Sequence, residues 1–151
     1  MSSHRNVHTY LSILRRDLSR FSAESAKLRL IPTKSEYSGT IRGEDIALTA
    51  GGKLTIVEEV KIGARSARMK VSRTSYKYKY VDGAGNTVFR YECNPYGRND
   101  WVDHPLHHLH VGNVETRYMT QPPRLAWVVR FVHECKPGSD AVKVRSEKRA
   151  D

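Results

Sequence analysis

Two β-rich runs that meet at Gly51-Gly52, in the stretch SGTIRGEDIALTAGGKLTIVEEVKI, constrain the fold more than any other feature of the sequence. A pair of glycines between such runs is typical of a hairpin turn, because glycine adopts positive φ at little cost. Alternate apolar residues of the second run share one parity, so we expect that side of the strand to face the core, with Glu58 as an exception. The apolar residues of this parity are Leu54, Ile56, Val60 and Ile62.

A second hairpin is predicted in the stretch ARMKVSRTSYKYKYVDGAGNTVFRYEC, with its turn at residues 82–86. The link between the two hairpins, GARSA, is short, and strands joined by short links pair antiparallel. We therefore predict that residues 53–62, 68–81 and 86–93 form neighbouring antiparallel strands. This pairing would place Arg90 near the lysines of the YKYKY segment.

Two amphipathic helices are predicted to flank the sheet. The first covers about residues 6–21, where apolar residues recur at helical spacing from Val7 to Phe21. The second lies in QPPRLAWVVRFVHECKPG, since a Pro pair opens this segment and Lys-Pro-Gly closes it. Large apolar residues also occupy every second position from Leu125 to Phe131, as in a strand, but the positions of the Pro and Gly residues favour the helix.

These elements predict one α+β domain over residues 1–138. Its antiparallel sheet has four to five strands and is flanked by an N-terminal and a C-terminal helix. Residues 139–151 are charged and nearly free of large apolar side chains, so we expect a flexible tail there.

The net charge of +10, from 26 Lys and Arg against 16 Asp and Glu, favours a polyanionic partner such as RNA, DNA or an acidic protein surface. No apolar run approaches the roughly 20 residues that a membrane span needs, so no membrane partner is expected. Two cysteines are too few for a disulfide framework, which favours a reducing cytoplasmic location.

The positive charge is concentrated in residues 61–80, which contain no acid. Within YKYKY the tyrosines point to one side of the strand and the lysines to the other. The tyrosines could stack on bases, although packing on the core is the stronger interpretation for them. The basic side as a whole favours phosphate binding. The predicted nucleic-acid-binding residues are Lys77, Lys79, Tyr78, Tyr80, Arg68, Lys70 and Arg73.

Four of the seven histidines lie in DHPLHHLHVGN, residues 103–113. In an extended segment His108 and His110 share one side, while Leu109 packs on the other. Two imidazoles can act as a general acid and a general base at the same pH, and a guanidinium can stabilise a charged phosphorus centre. We therefore predict metal-independent RNA cleavage by His108 and His110, with His107 and Arg90 beside them and no cofactor.

Two other interpretations of the histidines stay open. Imidazoles bind zinc, and a metal site could draw on Asp103, His104, His107, His108 and His110, with Cys93 as a more distant ligand. The spacing of these residues matches no established metal motif, so no metal is predicted. The clustering could also be an accident of composition, in which the histidines belong to a loop.

The order of these segments resembles the TumE family of bacterial toxin–antitoxin toxins. The resemblance extends from about residue 40 to residue 135, and HHLHVG is its most specific part. It implies a small toxin that acts on RNA and is neutralised by a cognate antitoxin. The segments that carry it are residues 51–60, 76–80, 82–92, 105–112 and 122–135.

The function predicted from the sequence is therefore that of a ribonuclease toxin whose partners are RNA and an antitoxin. The alternative is a nucleic-acid-binding or assembly subunit of a mobile-element or defence complex, without catalysis. A homo-oligomer is compatible with either function.

Overall fold

The computed structural model describes residues 7–35, 37–63, 71–93, 106–114 and 116–135. These ranges contain two α-helices, one short 3-10 helix (Ser25–Lys27) and seven strands. In chain order they are α1 (Val7–Ser19), β1 (Arg29–Pro32), β2 (Ser38–Ala47), β3 (Lys53–Ile62), β4 (Val71–Val81), β5 (Thr87–Cys93), β6 (His107–Val111), β7 (Tyr118–Met119) and α2 (Leu125–Cys135).

All seven strands form one antiparallel sheet in which each strand pairs with the next in sequence. The predicted α+β fold with a helix near each end is confirmed, as is the pairing of β3 with β4 and β4 with β5. The sheet has more strands than the four or five predicted. The strands β1 and β7 are short and mostly exposed, so they lack the alternation that marks the central strands.

The core lies between one face of the sheet and the two helices. The predicted stripe of α1 is confirmed, and α2 buries its own apolar stripe against the same face. Each large apolar side chain buried in this way contributes roughly 1.5–3 kcal/mol relative to exposure. The buried residues of the two helices are Val7, Leu11, Leu14, Leu18, Leu125, Val128, Val129 and Val132.

Both predicted hairpin turns are present. Gly51 and Gly52 have φ angles of 101° and 75°, and a side chain at Gly52 would collide with Tyr80. In the second turn the carboxylate of Asp82 accepts hydrogen bonds from the backbone N–H groups of Ala84 and Asn86, at 3.0 and 2.9 Å. These turns fix the register of the strands on either side of them.

The ambiguous segment around Trp127 is the helix α2, as predicted. It begins at Leu125, two residues after Pro123, and Trp127 is 49% exposed. The predicted tail lies outside the described residues. None of the described helices is long and apolar enough to cross a membrane.

Candidate functional site

The register of β4, β5 and β6 brings together polar side chains from three strands. Lys79 pairs with Arg90, which pairs with His110. Two residues away along the same strands, Lys77 pairs with Glu92, and Glu92 pairs with His108. These side chains alternate with the core residues, so they lie on the face of the sheet opposite the helices, here called the outer face. The predicted proximity of Arg90 to the lysines is confirmed.

Four side chains converge on the carboxylate of Glu92. Its Oε1 lies 2.6 Å from Arg90 Nε, in an ion pair without directed hydrogen-bond geometry, and 4.0 Å from Lys77 Nζ. Its Oε2 lies 3.3 Å from His108 Nε2 and 3.9 Å from His110 Nε2. We call these five residues the Glu92 cluster. Each carboxylate oxygen thus faces a different pair of partners.

The Glu92 cluster has an accessible rim and a buried floor. The side chains of Lys77, Arg90 and Glu92 are 45%, 30% and 25% exposed. The two histidines are buried, with 1% and 2% of their surface exposed. Their rings are nearly perpendicular, with centroids 5.1 Å apart. A molecule approaching from solvent therefore meets the two cations and the carboxylate first.

The protonation of His110 is constrained by its backbone neighbour. Its Nδ1 lies 3.2 Å from the carbonyl oxygen of Val114, which can only accept a hydrogen bond. Nδ1 must therefore carry the proton, and in the neutral ring Nε2 presents its lone pair toward Glu92. This nitrogen is available to take up a proton or to bind a metal ion.

His107 lies on the opposite side of β6, so the structure does not bring it together with His108 and His110. Its Nδ1 is 3.0 Å from the hydroxyl of Tyr76, and the two rings stack with centroids 5.7 Å apart. Burial lowers the pKa of His107, and Arg73 and His108 lower it further. This ring therefore favours the neutral form on the helix side of the sheet.

The tyrosines of YKYKY belong to the core, which corrects their place among the nucleic-acid-binding residues. Tyr78 and Tyr80 are 0% and 1% exposed, so neither ring offers a face to a base. Burial, with a contribution from Asp82, raises the pKa of Tyr80 to about 12. Only the lysines of this segment lie on the outer face. Arg68 and Lys70 are outside the described residues.

Arg73 also lies away from the outer face, in a second polar group that we call the Glu58 cluster: Tyr10, Glu58, Arg73 and Tyr78. Glu58 is 1% exposed, and its Oε1 accepts a hydrogen bond of 2.9 Å from the hydroxyl of Tyr10 and lies 3.7 Å from Arg73 Nε. The guanidinium donates to the Tyr78 hydroxyl at 2.7 Å and to the carbonyl of Pro123. Burial raises the pKa of Glu58, although Arg73 opposes this shift.

Among the described residues, Glu92, His108 and His110 form a group that can hold a metal ion, since their ligand atoms lie within 4.8 Å of one another. Cys93, the distant ligand considered from the sequence, lies on the other side of β5, with Sγ 4.0 Å from the carbonyl of Thr74. Sequence reasoning did not include Glu92. The sequence did contain a signal for it, because Arg90 and Glu92 are two residues apart in FRYE, and residues i and i+2 of a strand share a face.

A family model described as Toxin TumE matches residues 26–135 of the 151. The chain belongs to the TumE toxin family. The resemblance read from the sequence is thereby confirmed. In this TumE-family chain the match includes the whole sheet, the Glu92 cluster and α2. Neither the curated proteins nor the solved structures contain a match to it.

Proposed function

We propose that this TumE-family toxin cleaves RNA without a metal ion and is neutralised by a cognate antitoxin. The observation that carries the proposal is the convergence of Lys77, Arg90, His108 and His110 on a single carboxylate. Two permanent cations and two imidazoles around one anion are the groups that phosphate-ester cleavage requires. The Glu92 carboxylate occupies the position that the phosphate would take.

Substrate binding requires the Glu92 side chain to turn away from the imidazoles. Glu92 is on the accessible rim, whereas His108 and His110 lie behind it. A phosphate that replaces the carboxylate keeps the cations paired, so the exchange leaves no buried charge alone. Arg90 suits this role, because a guanidinium keeps its charge and presents several donors to phosphate oxygens.

Cleavage then follows from the two imidazoles. One acts as the base that takes the proton of the ribose 2′-hydroxyl, and this oxygen attacks the phosphorus. The other donates a proton to the departing 5′-oxygen, which leaves a cyclic phosphate. Arg90 and Lys77 stabilise the negative charge that develops on the phosphoryl oxygens. The role of base fits His110, since Val114 holds its proton on Nδ1.

A row of residues across the sheet suggests the path of the RNA. Starting from β1, each residue pairs with the next on the neighbouring strand, and the row leads to the Glu92 cluster. Its cations lie on the β1 side, and strands spaced about 4.8 Å apart give it room for several nucleotides. The row is Arg29, Arg42, Val57, Lys77, Glu92, His108 and Met119.

The proposal is tested with purified protein and a mixed-sequence RNA in the presence of EDTA. We expect cleavage that leaves cyclic phosphate ends, follows a bell-shaped pH profile and is lost in the double variant His108→Ala, His110→Ala. In cells the wild-type chain should arrest growth and the double variant should not. Growth arrest by the double variant, with RNA bound but uncut, would instead support the non-catalytic alternative.

A further inference from the structure

The nitrogen and oxygen atoms that face one another in the Glu92 cluster have the spacing of zinc ligands. Zn²⁺ bound tetrahedrally at about 2.0–2.2 Å from each ligand separates the ligand atoms by about 3.4 Å. Glu92 Oε2 lies 3.3 Å from His108 Nε2 and 3.9 Å from His110 Nε2. Only small side-chain adjustments would therefore place a metal ion between these atoms.

The backbone prepares the two imidazoles for this role. Residues 108 and 110 are two apart on β6, a strand paired on both sides, so their rings reach the same face without a loop to position them. Metal-binding histidines commonly donate the other ring N–H to a carbonyl or carboxylate, which fixes the tautomer. The contact between His110 Nδ1 and the carbonyl of Val114 is such an arrangement.

A cation between the ligand atoms also answers an electrostatic problem. Because Nδ1 of His110 carries the proton, the neutral ring, which is itself buried, directs a lone pair toward a carboxylate oxygen of Glu92. Two electron-rich atoms in this position repel each other unless a proton or a metal ion lies between them. The second oxygen of Glu92 is neutralised by Arg90 and Lys77, so Oε2 is the one that can serve a metal.

We propose that Glu92, His108 and His110 bind one divalent transition-metal ion of the Zn²⁺ type, and that the bound ion inhibits the RNA cleavage proposed above. Imidazole and carboxylate ligands together select Zn²⁺, Co²⁺ or Ni²⁺ over Mg²⁺, which prefers oxygen ligands and water. Because the Glu92 carboxylate can only accept a hydrogen bond from His108 Nε2, metal binding releases the proton of that nitrogen to solvent. The bound ion then takes the lone pairs of both imidazoles and holds Glu92 across them. Neither proton transfer nor entry of a phosphate is then possible.

Metal binding is measured without RNA, by titration calorimetry with Zn²⁺ and by the visible absorption of Co²⁺, on a chain that carries no histidine tag. We expect one ion per chain and a loss of affinity of about tenfold or more in each of His108→Gln and His110→Gln. His107→Gln is the matched control, because His107 is adjacent in sequence but lies on the other face of the sheet. Its affinity should equal that of the wild type.

The charge of Arg90 provides a second test of the position of the ion. Arg90→Gln should bind Zn²⁺ about fivefold more tightly, since removing one unit charge about 4 Å away is worth ~1 kcal/mol even in water. Weaker binding in this variant would contradict a site at the Glu92 carboxylate. Binding that is equal in wild type, His108→Gln and His110→Gln would overturn the proposal.

The inhibitory role rests on the proposed function and is measured separately. Micromolar Zn²⁺ should stop cleavage, and EDTA should restore it. If the ion binds as predicted but no RNA is cut under any condition, the proposed function fails and the metal site stands. If RNA is cut in EDTA and no ion binds, the metal site fails and the proposed function stands. Cleavage that requires Zn²⁺ would overturn the inhibitory role.

Discussion

The two faces of the sheet carry clusters of the same residue types in different surroundings. On the helix side, Glu58 is held by Arg73 and Tyr10, with His107 nearby through Tyr76. On the outer face, Glu92 is held by Arg90 and two histidines. Both clusters combine a carboxylate with a guanidinium; the Glu92 cluster also contains two imidazoles, whereas the Glu58 cluster only has one nearby. The residue types alone therefore do not distinguish a functional site from an internal polar network.

Access separates the two clusters. The Glu58 carboxylate is 1% exposed beneath α1, and burial makes its charged form costly, as its raised pKa indicates. The Glu92 carboxylate is 25% exposed and has two accessible cations beside it. A buried ion pair of the first kind contributes little net stability, although breaking it is expensive. Because the second kind is open to solvent, it is the outer face that we propose as the functional one.

The largest expected difference between the faces is in catalysis. His108→Gln and His110→Gln should each lower the rate of RNA cleavage by about 10²-fold or more, the scale of a lost general acid or base. His107→Gln should retain most of the activity. Because an acid–base pair acts as a unit, the double variant should be hardly slower than the slower single variant. A loss in His107→Gln equal to the others would erase the distinction between the faces.

The second expected difference is in the salt dependence of RNA binding. Replacing Lys77 and Lys79 by Ala should reduce the slope of log K against log salt by about 1.4, since each contact to a single-strand phosphate contributes about 0.7. Arg130→Ala provides the control, because Arg130 is exposed on α2 and ion-paired to Glu134. An unchanged slope in the lysine variant would show that these lysines only solvate the sheet.

A smaller difference is expected when each carboxylate is neutralised. Glu92→Gln removes an anion from the path of the phosphate, so RNA affinity should rise about fivefold, which corresponds to ~1 kcal/mol for a charge about 4 Å away in water. Glu58→Gln should leave RNA affinity unchanged. The measurement is fluorescence anisotropy with an RNA that cannot be cut because its 2′-hydroxyls are methylated. Weaker binding by Glu92→Gln would argue against exchange of the carboxylate for phosphate.

The smallest effect concerns the pH dependence of stability. The pKa of Glu58 is raised above its ordinary value of 4.5, so the folded state holds this proton more tightly than the unfolded state. The contribution of protonated Glu58 to the free energy of unfolding is fully present below pH 4.5 and is lost as pH rises through the pKa of the folded state. Urea unfolding of Glu58→Gln across this range should lack that decline, since the amide has no proton to release.

The Tyr10→Phe variant is the companion to this measurement. The hydroxyl of Tyr10 lowers the pKa of Glu58 by donating a hydrogen bond to it. Without the hydroxyl, the decline in stability should extend to higher pH. A pH profile of Glu58→Gln that runs parallel to the wild type would mean that Glu58 does not cause the decline.

Much of the fold could be predicted because local signals agree with the tertiary structure. The glycine pair at Gly51 and the Asp82 turn define the two hairpins, and parity along β3 separates core residues from solvent-facing ones. Glu58, the exception in that apolar stripe, is nevertheless buried with it, where Arg73 and Tyr10 bind it. The short strand β7 gave no such signal, because two exposed residues show no period.

The site could be predicted only in part, because it depends on the register between strands. Parity along β6 correctly grouped His108 with His110, but nothing within β6 indicates that Glu92 lies opposite His108. That pairing depends on how β5 and β6 align across the segment between them. Burial also depends on the tertiary structure, which a sequence pattern does not contain. The sequence therefore placed Arg73 among the exposed cations, whereas in the structure it lies beside the buried Glu58.

The order of the sheet has a consequence for how the chain folds during synthesis. Each strand pairs with the one made just before it, so the sheet can grow by one strand at a time with short loop closures. The two helices, in contrast, are far apart in sequence but meet in the fold. Phe21, just after α1, contacts His133 of α2, with ring centroids 5.1 Å apart. Synthesis proceeds from the N-terminus, so β6 leaves the ribosome before α2. The helix α2 completes the core, and a chain that stops short of it leaves part of the sheet's apolar face covered by α1 alone and the rest uncovered.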